Sequence, residues 1–243
     1  MRLPLVLPST PEWSMLSAAQ LKLCYRAATR LVTSMQALVA LDSQIVQTII
    51  AGQDFIEWQH YPENDVRDNQ HASQYFYHAH PGLQRPFTEH GHFHLFVHAE
   101  ELGMRRANPR YSPAPAHLLA VAMNALGLPS GFFLVNRWVT KGPWLNYADC
   151  VSGLEHFQIK ARQSNSQLKQ INQFLQALVT LYRAPILELF QQRDQIMQKL
   201  CSTRDRRSVF ADQSIEVLCY HPIALMDDIA ALEQAIEQSS EKK

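Results

Sequence analysis

Two aromatic-rich runs decide how this chain is read: Gln74-Tyr75-Phe76-Tyr77-His78-Ala79-His80-Pro81 and Glu89-His90-Gly91-His92-Phe93-His94-Leu95-Phe96-Val97-His98. Aromatic and β-branched residues alternating with polar ones are the mark of half-buried strands, which places strands at Gln74 to His80 and His92 to His98. Side chains alternate faces along a strand. His78 and His80 therefore share a face with Gln74 and Phe76. On the second run His90, His92, His94, Phe96 and His98 share one face, while Phe93, Leu95 and Val97 fill the other. If the link Pro81 to Glu89 closes a hairpin, the two histidine faces coincide in any register of suitable parity. One such register sets His80 opposite His92 and His78 opposite His94.

Neighbouring positions on one strand face lie roughly 6.6 Å apart and paired strands about 4.8 Å. Four imidazoles on such a patch can converge on a single ion above the sheet. Neutral imidazole suits zinc, copper, iron and nickel alike, and clustered histidines without an ion lack an acceptor for each donor. We assign His78, His80, His92 and His94 as ligands of a divalent transition metal, zinc or iron first. Glu89 is either a further ligand or a general base acting on metal-bound water. His90 and His98 are expected just outside the ligands, whereas His60, His71 and His117 are assigned structural roles. The alternative is a set of hydrogen-bonded structural histidines throughout. Asp65 and Asp68, in the polar stretch Tyr61 to Asp68, either orient ligating imidazoles or cap a turn. Arg137 either holds an anionic substrate or pairs with a flanking helix.

Outward from this centre the pattern becomes helical. From Ser17 to about Ile50, Leu21, Cys24, Ala28, Leu31, Met35, Leu38, Ile45 and Ile49 recur at helical spacing, closed by Gly52. Tyr61 to Asp68 reads as a polar loop. Pro113 to Leu126 reads as a short helix, Gly131 to Val139 as a strand, and Tyr147 to Phe157 as a helix. A long helix runs from Leu168 to Leu200, kinked at Pro185. Ile215 to Tyr220 reads as a last strand and Pro222 to Ile236 as a last helix, before a frayed polar tail from Ser239. The fold class is α+β: a small antiparallel sheet with a histidine-bearing hairpin, covered by N- and C-terminal helices. Residues 1–243 form one domain with an ordered core of about 15–238.

Several functions are excluded or disfavoured by composition. Lys+Arg and Asp+Glu both number 22, so the chain lacks the basic excess of proteins that grip nucleic acid backbone. Cys24, Cys150, Cys201 and Cys219 form no CxxC pair, which argues against a zinc ribbon or disulfide framework and for a reducing cytoplasm. The most apolar stretch, Leu118 to Val135, is broken by Asn124, Gly127, Pro129, Ser130 and Gly131, so no membrane span is expected. A small-molecule substrate is the expected partner, and the residues fix no oligomeric state.

Three resemblances follow from these motifs. His60-Tyr61-Pro62, Asp65-Val66, Tyr75 to Pro81 and Glu89 to His94, with Gly131-Phe132-Phe133, Asn136 to Thr140 and Asp212 to Leu218, resemble a bacterial domain family of unknown function over about residues 15 to 235. That resemblance implies a shared site without a stated activity. His78-Ala79-His80-Pro81 is similar to the core of JAMM metalloproteases, in which two His and an Asp hold zinc. Thr88 stands at that family's Ser position, Gly91 at its Asp ligand, and Glu57 or Glu63 would be the upstream base. His92-Phe93-His94 resembles the His-hydrophobic-His strand of HUH endonucleases, which implies a divalent ion and a nucleophilic Tyr147 or Tyr182. The function expected is a metal-dependent enzyme, a hydrolase or non-haem iron oxygenase. The alternatives are a non-catalytic metal carrier or sensor, an HUH-type single-strand DNA nuclease, and a helical interaction protein.

Overall fold

The computed structural model describes residues 5–7, 11–81, 87–104, 114–160 and 166–241. Seven strands form one sheet: β1 (Leu5–Val6), β2 (Tyr61–Asp68), β3 (Ser73–His78), β4 (Gly91–Val97), β5 (Ala116–Met123), β6 (Pro129–Val135) and β7 (Val217–Pro222). Their spatial order is β1-β7-β6-β5-β4-β3-β2. From β2 to β7 the sheet is an antiparallel meander, and β1 alone pairs in parallel, with β7. The class is the expected α+β, but the sheet is larger than expected and mixed.

The helices are α1 (Ala18–Val39), α2 (Ile45–Ile50), α3 (Arg137–Thr140), α4 (Tyr147–His156), α5 (Ser166–Leu181), α6 (Arg183–Cys201), α7 (Arg206–Ala211) and α8 (Leu225–Glu241). Ser17 opens α1 with a reciprocal capping box to Gln20. The segment from Ser17 to Ile50 resolves into α1 and α2, and Ala51 and Gly52 leave α2 with positive φ. The expected long helix from Leu168 to Leu200 is two helices that break at Tyr182. Pro185 sits in the first turn of α6, where its missing N–H would have no partner in any case. The last helix runs on through Ser239 to Glu241 rather than fraying there. No helix among the described residues is long and apolar enough to cross a membrane.

One face of the sheet forms the core. Tyr75, Tyr77, Phe93, Leu95, Val97, Leu119, Val121 and Phe132 pack there against α1, α5 and α6 through Leu31, Phe174, Leu178 and Phe190, all within one buried cluster. The opposite face carries Ala120, Ala122, Phe133, Val135 and Val217, a smaller cluster closed by Phe87, Val139 and Tyr220.

Three further assignments change. The segment expected as a helix after Pro113 is strand β5; Pro113 itself lies outside the described residues. His117-Leu118-Leu119-Ala120-Val121-Ala122-Met123 contains good helix formers, yet β5 lies between β4 and β6 with nearly every residue buried. A strand covered on both faces reads as a continuous apolar run, which periodicity cannot tell from a buried helix. Tyr61 to Asp68 is edge strand β2 rather than a loop: Tyr61, Val66 and Asp68 are buried while Glu63, Asn64 and Arg67 are exposed, the polarity expected of an edge. Third, β6 stops at Val135 and Asn136 caps α3, its side chain accepting from the Arg137 N–H. Arg137, Trp138 and Val139 therefore lie on a helix and not on the strand.

Candidate metal centre

Strands β3 and β4 pair antiparallel with His78 opposite His92 and Phe76 opposite His94. The parity is the one expected, but the register is two residues away from the one that set His80 opposite His92. Gly91 explains how close the strands come: a Cβ there would lie 2.5 Å from the His78 carbonyl oxygen and 2.6 Å from the Tyr77 hydroxyl. No side chain fits, so the position of the JAMM family's Asp ligand cannot carry one here, and His92 beside it faces the site. Across β4, His92 and His94 face Ala122 and Ala120 of β5. These small residues leave room for the imidazoles to lean towards each other.

The three rings meet at their Nε2 atoms. His78 Nε2 lies 2.9 Å from His92 Nε2, and His92 Nε2 lies 3.1 Å from His94 Nε2. One ligand atom from each residue falls within 4.8 Å of the others. Relative exposures of 8%, 3% and 1% for His78, His92 and His94 exclude bulk water. The far nitrogens of two rings are held from outside. His92 Nδ1 donates to Glu89 Oε1 at 2.8 Å, and His94 Nδ1 lies 2.9 Å from His117 Nε2. The carboxylate partner places a proton on His92 Nδ1 and turns its Nε2 lone pair inward, and a proton on His94 Nδ1 shared with His117 would do the same for His94.

Burial, and then the neighbouring His92, His80 and His60, push the His78 imidazole down to about 2. Burial likewise drives His94 well below its ordinary value, and His117 falls to about 3 through burial and then Arg193. These shifts keep His78 and His94 neutral at physiological pH, the form that ligates. Zinc–imidazole bonds of about 2.0–2.1 Å in tetrahedral geometry set Nε2 atoms roughly 3.3 Å apart. Opening the two short edges by a few tenths of an ångström admits the ion, so the donor set fits a divalent transition metal.

His80 stands beside the triad, its ring centroid 4.9 Å from His78 and 5.2 Å from His92. In the observed register it lies past the end of β3. Its Nδ1 points at Glu216 Oε1, 3.5 Å away, and Trp58 stacks on it at 4.2 Å. His80, Glu89, His92, His94 and Glu216, with Phe133 behind them, border a cavity of about 10 Å³. That is room for one water molecule. Burial pushes the Glu216 carboxyl up, with His92 opposing and Glu89 adding to the rise.

Residues 25–223 match the family described as Domain of unknown function (DUF6969). The chain belongs to the DUF6969 family. No curated protein and no solved structure matches it.

The remaining sequence-assigned residues of this DUF6969 chain spread over its sheet. Glu89 is a hydrogen-bond acceptor behind His92. His90 precedes β4 and turns to the opposite face, 2.7 Å from the Tyr77 hydroxyl and tilted against Phe55 at 4.9 Å. His98 sits between Arg67 and Gln74, beyond Phe96. Asp65 bridges His60 Nδ1 and Gln74 Nε2, and His60 stacks on Phe76 at 3.6 Å. Asp68 accepts the N–H groups of Gln70, His71 and Lys160. Although burial works the other way, these bonds and His71 hold its carboxyl below the usual range. Arg137 is exposed at the start of α3. Tyr182 is buried among Trp13 and Phe132 and donates to Asp228, on the core side of the sheet away from the triad. Tyr147 opens α4. Glu57 and Glu63 are exposed.

Two residues at this DUF6969 site stand outside the sequence-assigned ligand set: His117, given a structural role, and Glu216, given none of its own. Simple alternation places His117 on the core face with Leu119 and Val121. A bulge in β5 moves it: Leu95 faces Leu119 but Phe96 faces His117, so Leu118 is extra and His117 turns to the triad side. Glu216 precedes a second bulge, where Leu134 faces Cys219 and Val135 faces Val217. An acidic residue at the mouth of an otherwise apolar strand was the available signal for it.

Proposed function

We propose that this chain binds one divalent transition-metal ion, zinc or iron, through Nε2 of His78, His92 and His94, and works as a metal-dependent enzyme on a small molecule. The observation that carries the reading is the convergence of three buried imidazoles, two of which, His92 and His94, have their outer nitrogens engaged by Glu89 and His117. Three protein ligands leave a further coordination position, the arrangement of catalytic rather than structural zinc. When bound, the ion would lower the pKa of a coordinated water or polarise a substrate oxygen. Glu89 orients His92. Glu216, with its carboxyl raised by burial and facing the same cavity, is placed to take a proton from a water there. Hydrolysis uses all of these groups. Iron-dependent oxygenation would use the same open position.

One observation favours a second reading, a non-catalytic metal carrier or sensor: the cavity admits a single water, and the site is closed by Trp58, Phe87 and Phe133. A cytoplasmic setting fits both readings, since Cys24, Cys150, Cys201 and Cys219 are free thiols.

Elemental analysis of tag-free protein tests the reading. Close to one equivalent of zinc or iron is expected, and the His92→Ala/His94→Ala double variant should carry none while keeping its circular dichroism spectrum. Equal, substoichiometric metal in both proteins would refute it. A metal replaced only over hours and unreachable by small chelators would favour the carrier.

A further inference from the structure

On the opposite side of the molecule, where α1 and α5 pack together, lies a cleft of 530 Å³ that the metal site does not use. Cations reach it from four parts of the chain: Arg26 and Arg30 from α1, Lys160 from the segment after α4, Lys169 from α5 and Arg183 from α6. Among the described lining residues Glu155 is the one carboxylate, and it is taken by Arg183 at 2.7 Å. Five positive charges therefore face one negative charge in a chain whose total is 22 against 22.

That concentration costs stability. Arg26 and Arg30 are one helical turn apart, where like charges repel by a few tenths of a kcal/mol. Among the described residues, no carboxylate pairs with Arg26, Arg30, Lys160 or Lys169. A concave site walled by one sign of charge focuses its field on an incoming anion. Beneath the cationic rim the floor is apolar, formed by Ala27, Leu154, Phe157, Ile159 and Ala177, all buried. Gln173 and Thr180 supply further polar groups at the wall. The volume lies in the range of small-molecule sites, and the combination suits a ligand with a multiply charged head and a modest apolar body.

We propose that this cleft binds a small phosphorylated molecule carrying at least two phosphate charges, with its phosphates on Arg26, Arg30 and Lys169 and its body on the apolar floor. The site is independent of the metal-centre reading, because the two lie on opposite faces of the sheet.

Titration calorimetry of the full-length protein, with its metal as purified and with inorganic pyrophosphate as the probe, tests the proposal. We expect saturable binding that weakens as salt is added. Arg26→Gln/Arg30→Gln alters only exposed positions of α1 and should weaken it about tenfold or more, since hydrogen bonds to charged groups are the stronger class. A thermal melt of that variant matching the parent shows that the fold is retained. His92→Ala/His94→Ala should leave pyrophosphate binding unchanged. No binding, equal affinity in the arginine variant, or loss of binding in the histidine variant (pyrophosphate then merely chelating the metal) would each overturn the proposal. So would binding of single-stranded RNA in the absence of pyrophosphate binding.

Discussion

Glu89 and His221 show how differently a buried polar residue can serve. Glu89 touches the triad through His92 Nδ1, at 2.8 Å, and that bond selects the tautomer that leaves Nε2 bare. Removing such an outer partner lowers metal affinity by about 10–100-fold in known sites. Glu89→Ala should fall in that range in a chelator competition assay, and Glu89→Gln, which keeps an acceptor, should lose less. An unchanged affinity would mean that His92 is held by packing alone. His221, on the core face of β7, is 3% exposed and stacks near Phe132. Burial pushes its imidazole from about 6.5 to about 4. Between those values the unfolded chain takes up a proton that the folded chain refuses, so stability falls as pH drops through that window. His221→Phe should therefore show a shallower loss of melting temperature from pH 6.5 to pH 4. The decline that remains belongs to other buried imidazoles such as His78, His94 and His117.

Among the elements, the β3–β4 hairpin decides the site. Its aromatic alternation made both strands and their histidine face readable, because period-two patterning survives whenever one face is buried and the other is polar. The register was not readable. His78 opposite His92, instead of His94, goes with the close approach of the strands at Gly91, which the alternation does not encode. Gly91→Ala tests that dependence. Its Cβ would meet the backbone carbonyl of His78, which cannot swing aside as a side chain would. A loss of about 1–3 kcal/mol is expected, the usual cost of overpacking. Metal content should fall with it, because the two strands that carry all three ligands would be pushed apart. A melting temperature and metal content equal to the parent would show that the strands separate freely there. Strand β5 failed the sequence reading for the opposite reason: buried on both faces, it carries no alternation, and Ala, Leu and Met favour helix as isolated residues.

At the scale of the whole molecule, the sheet separates two environments. One face packs against the helices and supplies the core; the other encloses imidazoles and carboxylates among Phe76, Phe87, Phe96 and Phe133. An ion bound only by the native state stabilises that state by mass action, about 4 kcal/mol when its free concentration is a thousand times Kd. Stripping metal with a chelator should therefore lower the melting temperature of the parent by several degrees and leave His92→Ala/His94→Ala unmoved. Equal behaviour of the two proteins would show that the triad contributes no metal-linked stability.

What the sequence determined alone is local: which residues alternate, where helices start and stop, and that nine of eleven histidines crowd between His60 and His117. Those follow from backbone geometry and side-chain type, which act over a few residues. The tertiary structure decided which histidines meet. It chose the hairpin register, turned His117 through a bulge, left His80 past the strand end, and brought Glu216 from the far end of the chain to face it. The physical reason is that strand pairing and bulges are settled by packing between segments distant in sequence, where one shifted residue sends a side chain to the other face of the sheet.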